Sequence, residues 1–146
     1  MDIVIIGDGK VGHKLAMQLS GENYNVTLID QSEKKLSDTV NEMDVSCVAG
    51  DGGSAEVQRK ADVPGADLVI ACTSTDEMNL FCCLLARRLG AKQTIARVRN
   101  PVYAEQMHLL KEDLKLSMAV NPELALAGEI SRVLIFPSAA KIETFV

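Results

Sequence analysis

Residues 2–12 read Asp-Ile-Val-Ile-Ile-Gly-Asp-Gly-Lys-Val-Gly, a short apolar run that ends directly in a Gly-x-Gly-x-x-Gly motif. The apolar residues 3–6 are typical of a strand that is buried on both faces. Gly7 allows a sharp turn, Gly9 allows a pyrophosphate to approach the backbone, and Gly12 allows the next helix to pack close to the strand. That helix directs its free N–H groups and its positive dipole end at the phosphates. The stretch therefore predicts a dinucleotide-binding turn.

An acidic residue follows the next apolar run. Val26-Thr27-Leu28-Ile29 predicts a second strand, and Asp30 at its end is placed to accept hydrogen bonds from ribose hydroxyls. An acidic side chain suits an unmodified ribose and repels a 2′-phosphate, so NADP is disfavoured. In the alternative interpretation, the glycines only make a tight turn and Asp30 only caps a helix that begins near Ser32. That interpretation alone does not require three glycines at this spacing.

Length and composition favour one acidic domain with an aliphatic core. The chain has 146 residues, a net charge of −5, no Trp, three Phe and two Tyr. A domain of this size can bury a sizeable core. The negative charge argues against binding to nucleic acid or to a membrane surface. No apolar run approaches the length of a membrane span and the first strand begins at once, so we expect neither direct membrane insertion nor a signal peptide.

The cysteines and histidines argue against disulfides, metal binding and catalysis. Cys47, Cys72, Cys82 and Cys83 lack Cys-x-x-Cys spacing, and the two histidines lie far apart. We expect reduced, buried thiols in a cytoplasmic protein and no metal site. A hydride-transferring enzyme of this class adds a substrate domain with a proton donor, but neither histidine is placed as a general acid. The sequence thus offers a nucleotide site with no catalytic residue, which indicates sensing.

Strand and helix patterns alternate along the whole chain. Strands are predicted at residues 3–6, 26–29, 45–49, 68–71, 94–98 and 116–120. Helices are predicted from residue 10, at 32–43, 54–60, 76–89, 101–112 and 122–134. This alternation predicts an α/β fold, a Rossmann-type doubly wound parallel sheet of six strands with a C-terminal interface or linker helix. That last helix is apolar on more than one face, which favours an interface; the alternative is that it only covers the sheet edge.

A ligand of such a sheet lies over the carboxyl ends of the strands. This rule selects residues 7–12, 30, 50–52, 72–74 and 97–100. Asp51 could accept from an adenine amino group or a ribose hydroxyl, and Thr73 offers a hydroxyl and a backbone N–H near the phosphates. The alternatives are that Asp51 only forms a turn and that Thr73 only caps a helix. Arg99 is expected in a solvated or interface ion pair.

Five segments carry a more specific pattern. They are residues 1–30 with the glycine loop, Ala49-Gly50-Asp51-Gly52, Ala71-Cys72-Thr73 followed by Asp76-Glu77-Met78-Asn79, Ala96-Arg97-Val98-Arg99-Asn100-Pro101-Val102-Tyr103, and Val120-Asn121-Pro122-Glu123. Together they resemble the nucleotide-binding (RCK, or KTN) domain of the Trk-type potassium-uptake regulatory proteins, the TrkA family, over essentially the whole chain.

The resemblance implies a cytoplasmic regulatory subunit, peripheral to the inner face of the membrane. Such a subunit forms a homo-oligomer (a dimer or a ring of dimers) and gates a membrane potassium transporter. The implied cofactor is NAD(H), with ATP or ADP as alternatives. The implied cofactor-binding residues are Gly7, Asp8, Gly9, Lys10, Val11, Gly12, Asp30, Gln31, Asp51, Gly52, Cys72, Thr73 and Arg97.

Individual roles also follow from the resemblance. The backbone of residues 7–11 would cradle phosphate, Asp30 would bind ribose, and residues 51–52 would contact adenosine. Thr73 and Arg97 would contact the phosphates or the distal half of the ligand. Lys10 stands where family members often carry Arg; because Lys is a compact point charge without a planar fork, a preference for triphosphate is in doubt.

The resemblance also divides the chain. Residues 1–135 would be the RCK N-terminal dinucleotide-binding domain, and residues 136–146 a linker with the first strand of an absent C-terminal domain. We therefore expect an isolated or truncated fragment. The alternative function is an NAD-dependent oxidoreductase, or a nucleotide-binding fragment of one. Incubation with NADH and candidate oxidants separates the two, because a sensor binds without turnover.

Overall fold

The structure is a computed structural model that describes residues 1–114 and 118–120. The strands are β1 (Asp2–Ile6), β2 (Asn25–Asp30), β3 (Ser46–Ala49), β4 (Leu68–Ala71), β5 (Gln93–Arg97) and β6 (Met118–Val120). The α-helices are α1 (Lys10–Gly21), α2 (Glu33–Glu42), α3 (Ala55–Lys60), α4 (Asp76–Leu89) and α5 (Pro101–Leu114). A short 3-10 helix, Val63–Gly65, precedes β4.

The strands form one parallel sheet in the order β3-β2-β1-β4-β5-β6. In β1, Ile6 lies beside Ile29 of β2 on one side and beside Ala71 of β4 on the other. Because the chain runs outward to β3 and then returns to the other side of β1, the strand order reverses at this point. Such a reversal opens a crevice at the carboxyl ends of β1 and β4. The predicted Rossmann-type, doubly wound parallel α/β fold is confirmed.

The sheet has an apolar core on each face. Ile3 and Ile5 of β1 pack into the core under α1 and α2, whereas Val4 and Ile6 pack into the core under α3, α4 and α5. None of these four side chains is more than 2% exposed. Strands covered on both faces read as continuous apolar runs, as β1 does. The prediction that β1 is buried on both faces is confirmed.

Several boundaries differ from those predicted. β5 begins and ends one residue earlier, at Gln93 and Arg97, and α5 continues to Leu114. Arg97 is therefore the last residue of its strand, at the edge where the crevice opens. The predicted helix at 122–134 and the predicted linker at 136–146 lie outside the described residues. No helix in the described part of the chain is both long enough and apolar enough to cross a membrane.

Candidate functional site

A cavity of about 530 Å³ lies over the carboxyl ends of β1 to β5. Small-molecule sites typically enclose roughly 300–1,000 Å³, so the cavity is large enough for a nucleotide. The structure brings nine of the predicted site residues together in its lining: Gly7, Gly9, Asp30, Gln31, Asp51, Gly52, Cys72, Thr73 and Arg97. These residues come from five separate strand ends, as the topology requires.

Helix α1 begins beside this cavity without a side-chain cap. Its N-cap residue is Gly9, which has no side chain that could accept a hydrogen bond from the first turn. Helices α2, α3 and α4 differ, because each is capped by a side-chain hydroxyl that accepts a backbone N–H of the first turn. The capping residues are Ser32, Ser54 and Thr75 respectively. The first N–H groups of a helix lack partners within the helix, and they favour an anion. The start of α1 therefore fits a phosphate group.

The three glycines of the loop have different surroundings. A Cβ on Gly9 would meet no atom within 4 Å, so this position is open. A Cβ on Gly12 would lie 1.8 Å from the carbonyl oxygen of Gly7, and one on Gly7 would lie 2.8 Å from that of Cys72. Gly7 also has a φ of 110°, which L side chains rarely adopt. Gly7 and Gly12 are thus required by the turn itself, whereas Gly9 keeps space for a ligand.

Asp30 holds the glycine turn and also lines the cavity. Its Oδ1 accepts the backbone N–H of Asp8 at 3.0 Å, and its Oδ2 accepts that of Ser32 at 2.8 Å. Each carboxylate oxygen can accept a second hydrogen bond. Asp30 does not cap α2, because Ser32 does; it holds the N–H of that cap residue and keeps acceptor capacity for a ribose.

The loop after β3 is held from beneath. Gln58 is fully buried, and its amide Nε2 donates to the carbonyl oxygen of Gly52 at 2.8 Å. Asp51 accepts the N–H of Gly53 through Oδ1 at 2.8 Å, so it does form a turn. A Cβ on Gly52 would lie 2.2 Å from Ile6 Cγ2, which shows how closely the loop packs on β1. Asp51 therefore reaches the cavity from a rigid turn.

Asn79 joins the ends of β4 and β5. This fully buried side chain accepts from Thr73 N at 2.6 Å and donates to the carbonyl oxygen of Arg97 at 2.9 Å. The prediction that the Thr73 N–H faces the phosphates is wrong, because Asn79 already accepts it. The helix-capping alternative for Thr73 is also wrong, since Thr75 caps α4.

Arg97 places a cation at the edge of the cavity. Its Nη1 donates to the carbonyl oxygen of Thr73 at 3.3 Å, and its buried Nε has no partner among the described residues. Desolvation by burial, followed by repulsion from Arg99, lowers the pKa of Arg97 below its ordinary value. A guanidinium stays protonated at neutral pH even so. Arg99 donates through Nη2 to the carbonyl oxygen of Ser74 at 2.9 Å. The solvated or interface ion pair expected for Arg99 stays a prediction.

Four predicted residues do not line the cavity. Lys10 is exposed outside the lining, and Val11 packs against the core under α1. Gly12 lies under the turn. The side chain of Asp8 is buried and accepts from Thr39 Oγ1 at 2.6 Å. The side chains of Asp8 and Val11 thus hold the turn and the core. The predicted phosphate cradle involves only the backbone of residues 7–11, and it stays a prediction.

His13 lies between α1 and α2. Its Nδ1 is 3.1 Å from Asp8 Oδ1 and its Nε2 is 3.0 Å from Glu42 Oε2. The imidazole therefore joins the glycine turn to the last turn of α2, away from the cavity lining. Among the described residues, no group of three or more His, Cys, Asp or Glu side chains is arranged to hold a metal ion.

Sequence reasoning missed Lys35 and Met78, which also line the cavity. Lys35 lies in the first turn of α2, three residues after the cap Ser32. This position close to the end of β2 could have identified Lys35 as a cavity residue from the sequence. Cys82 was expected only in the core; it is buried but reaches the cavity. Desolvation by burial raises the pKa of Cys72 and Cys82 from 9.0 to about 12, so both thiols are neutral at pH 7.

A doubly wound parallel sheet with a glycine turn, an uncapped α1 and a cavity over its carboxyl edge defines a Rossmann-type domain. Residues 3–122 match the family model of the TrkA-N domain, and the chain belongs to this family.

Curated relatives cover nearly the whole chain. The chain is 37% identical over 145 residues to a Trk system potassium uptake protein TrkA homolog of Archaeoglobus fulgidus. This alignment covers 99% of the chain and 33% of the relative. It is 33% identical to the Trk system potassium uptake protein TrkA of Haemophilus influenzae, covering 99% of this chain and 32% of the relative. The chain thus spans about a third of the length of these relatives.

Solved structures share the fold at low identity. The TrkA-N domain of the inner membrane protein ybaL from Escherichia coli has a TM-score of 0.73 at 18% identity, covering 93% of this chain and 95% of that one. The GsuK channel bound to NAD has a TM-score of 0.67 at 22% identity, covering 81% of this chain and 21% of that one.

Proposed function

We propose that this chain is the nucleotide-binding regulatory domain of a potassium-uptake system and that it binds NAD(H) in the cavity over β1 to β5. The observation that carries the proposal is the uncapped start of α1, which opens on a cavity that Asp30 also lines. An anion site and a ribose acceptor are what a nucleotide needs. The names of the curated relatives supply the potassium-uptake context.

The lining residues divide the cavity into two halves. The free N–H groups at the start of α1 would hold phosphate, and Asp30 with Gln31 would hold the adenosine ribose. Residues 51–52 would contact adenosine, and Arg97 would pair with phosphate toward the distal half. Cys72 contributes a neutral thiol to the floor. ATP and ADP are the alternative ligands, because they share the adenosine and phosphate groups.

A regulatory role requires that the ligand favours one conformation over another. Bound nucleotide can shift such an equilibrium only through a difference in its affinity for the two states. We infer that the domain acts as a homo-oligomer, a dimer or a ring of dimers, on the cytoplasmic face of a membrane potassium transporter. Residues 1–135 would form the dinucleotide-binding domain, and residues 136–146 the start of a further domain.

The alternative of an NAD-dependent oxidoreductase has less support. The ionisable side chains that line the cavity in the described structure are Asp30, Lys35, Asp51, Cys72, Cys82 and Arg97. A general acid has to exchange its proton near the working pH. The thiols of Cys72 and Cys82 do not meet this need, because burial raises their pKa to about 12.

Isothermal titration of the purified chain with NAD, NADH, ATP and ADP tests nucleotide binding directly. We expect binding of NAD(H), and no consumption of NADH when candidate oxidants are added. Steady oxidation of NADH would overturn the regulatory proposal, and no heat with any of the four nucleotides at millimolar concentration would overturn the site. In the source cell, Gly9→Val should change potassium uptake at unchanged protein abundance.

A further inference from the structure

We propose that Thr73 presents a hydrogen-bond acceptor, and no donor, to the cavity. This end of the cavity would then select a ligand with a hydroxyl donor, the second ribose of a dinucleotide, over the terminal phosphate of a nucleoside triphosphate. The proposal rests on the proposed nucleotide site and deepens it. It makes Thr73 a specificity-determining residue and Asn79 the residue that positions it.

The orientation of the Asn79 amide is fixed by its neighbours. The backbone nitrogen of Thr73 can only donate, and it lies 2.6 Å from the side-chain atom assigned as Oδ1. The carbonyl oxygen of Arg97 can only accept, and it lies 2.9 Å from the atom assigned as Nδ2. A flipped amide would place donor against donor and acceptor against acceptor. The oxygen of Asn79 therefore faces Thr73.

This orientation decides where the hydroxyl proton of Thr73 goes. Thr73 Oγ1 lies 2.7 Å from Asn79 Oδ1, and a second acceptor, the carbonyl oxygen of Thr75, lies at 3.5 Å. A threonine hydroxyl has one proton to donate and two lone pairs. Since both protein neighbours are acceptors, the proton is directed into the protein in either case. The lone pairs of Thr73 Oγ1 therefore remain free to accept a hydrogen bond from a ligand in the cavity.

The arrangement is held rigidly. Asn79 is fully buried in α4, where a lost hydrogen bond leaves an unsatisfied polar group. Thr73 is half-buried and lines the cavity directly after β4. Its backbone N–H is also taken by Asn79, so neither of its two donors is available to a ligand.

Arg97 supplies the complementary group beside it. The guanidinium donates to the carbonyl oxygen of Thr73 and also lines the cavity. The pair therefore offers a cationic donor next to a neutral acceptor. A pyrophosphate followed by a ribose hydroxyl satisfies both groups. A terminal phosphate at Thr73 would place acceptor against acceptor, because its oxygens at neutral pH are largely deprotonated.

The test compares ligands on the full chain by calorimetry. ADP-ribose adds the second ribose to ADP, and ATP adds a phosphate instead. We expect the parent chain to bind ADP-ribose more tightly than ADP, and ATP no more tightly than ADP. Thr73→Val removes the acceptor at nearly constant volume and should weaken ADP-ribose by about fivefold, the effect of one hydrogen bond, while the ADP affinity changes by less than twofold. Thr73→Ser should restore the difference.

Thr27→Val is the matched control, because it makes the same substitution in β2, outside the cavity lining, and should leave the preference for ADP-ribose over ADP unchanged. The proposal is overturned if Thr73→Val weakens ATP as much as ADP-ribose, which would make the hydroxyl a donor to phosphate. A parent chain that binds ATP more tightly than ADP-ribose overturns it without any variant, so the test survives misfolding of Thr73→Val. A parent chain that binds none of the three nucleotides refutes the nucleotide site itself.

Discussion

The Oδ1 atom of Asp30 lies 3.0 Å from the backbone nitrogen of Asp8, so the end of β2 is hydrogen-bonded to the glycine turn after β1. The same carboxylate reaches the N–H of Ser32 at the start of α2. One side chain therefore fixes two of the loops that line the cavity. Loss of Asp30 should affect both ligand binding and folding.

Asp30→Ala should weaken NAD(H) binding by about 1.5–3 kcal/mol, as expected for lost hydrogen bonds to a charged group. It should also lower the free energy of unfolding by about 1–3 kcal/mol, because two backbone donors lose their acceptor. Calorimetry and denaturant unfolding measure the two effects separately. Asp30→Asn is the control, since it keeps one acceptor oxygen but not the charge. Unchanged affinity in Asp30→Ala would remove Asp30 from the ribose site.

Gly9→Val and Gly12→Ala should have opposite effects. A side chain at Gly9 enters open space where the ligand would approach, so we expect a folded chain without nucleotide binding. A Cβ at Gly12 would overlap the carbonyl oxygen of Gly7, so Gly12→Ala should destabilise the fold by about 1–3 kcal/mol or more. Thermal unfolding and nucleotide titration distinguish the two. Nucleotide affinity within a few-fold of the parent in Gly9→Val would show that the ligand does not cross this loop.

Arg97→Ala should reduce discrimination between ligands more than adenosine binding itself. The nicotinamide ring of NAD carries a positive charge that NADH lacks, so a nearby guanidinium distinguishes the two ligands. Paired titrations of the parent and the variant give the ratios, with Arg97→Lys retaining the charge but not the planar fork. Scattering from the assembled protein reports the ligand-dependent change of shape. Parent-like discrimination with the full change of shape would exclude Arg97 from the switch.

Alkaline pH should destabilise the chain through its buried thiols. Burial raises the pKa of Cys72 and Cys82 from 9.0 to about 12, so above pH 9 the unfolded chain releases protons that the folded chain retains. The unfolded state then binds fewer protons, and stability falls as pH rises from 9 to 12. Each thiol contributes a slope of about 1.4 kcal/mol per pH unit.

Cys82→Ala isolates this effect from other alkaline titrations, such as those of Lys and Tyr. Its stability should fall less steeply than that of the parent between pH 9 and pH 11, in unfolding measured by denaturant. Parallel slopes for the two proteins would show that the Cys82 thiol ionises equally in both states.

The sequence is sufficient to predict the fold because its main features are local. The continuous apolar run of β1, the glycines after it and the acidic end of β2 each specify a strand or a turn within a few residues. The carboxyl-edge rule then identifies ten residues that do line the cavity. The different roles of Gly9, which is open to a ligand, and Gly12, which packs against the turn, also follow from the known geometry of such a turn.

The rest depends on contacts between distant segments. The polarity of Thr73 is set by Asn79, six residues further along and one helical turn into α4. The buried carboxylate of Asp8 accepts a hydrogen bond from Thr39 of α2, 31 residues further along the chain. A donor-acceptor pattern of this kind follows from the packing of α4 and α2 on the sheet, and no single segment of sequence contains it.

The return of the chain from β3 to β4 has a consequence for fragments of this domain. Residues 1–53 carry the glycine turn, Asp30 and Asp51, whereas Thr73, Asn79 and Arg97 lie beyond the crossover. A break in the connection after β3 therefore leaves two halves, each with only part of the cavity lining. Recovery of ligand binding when the halves are mixed would report their reassociation, which makes the domain a split sensor.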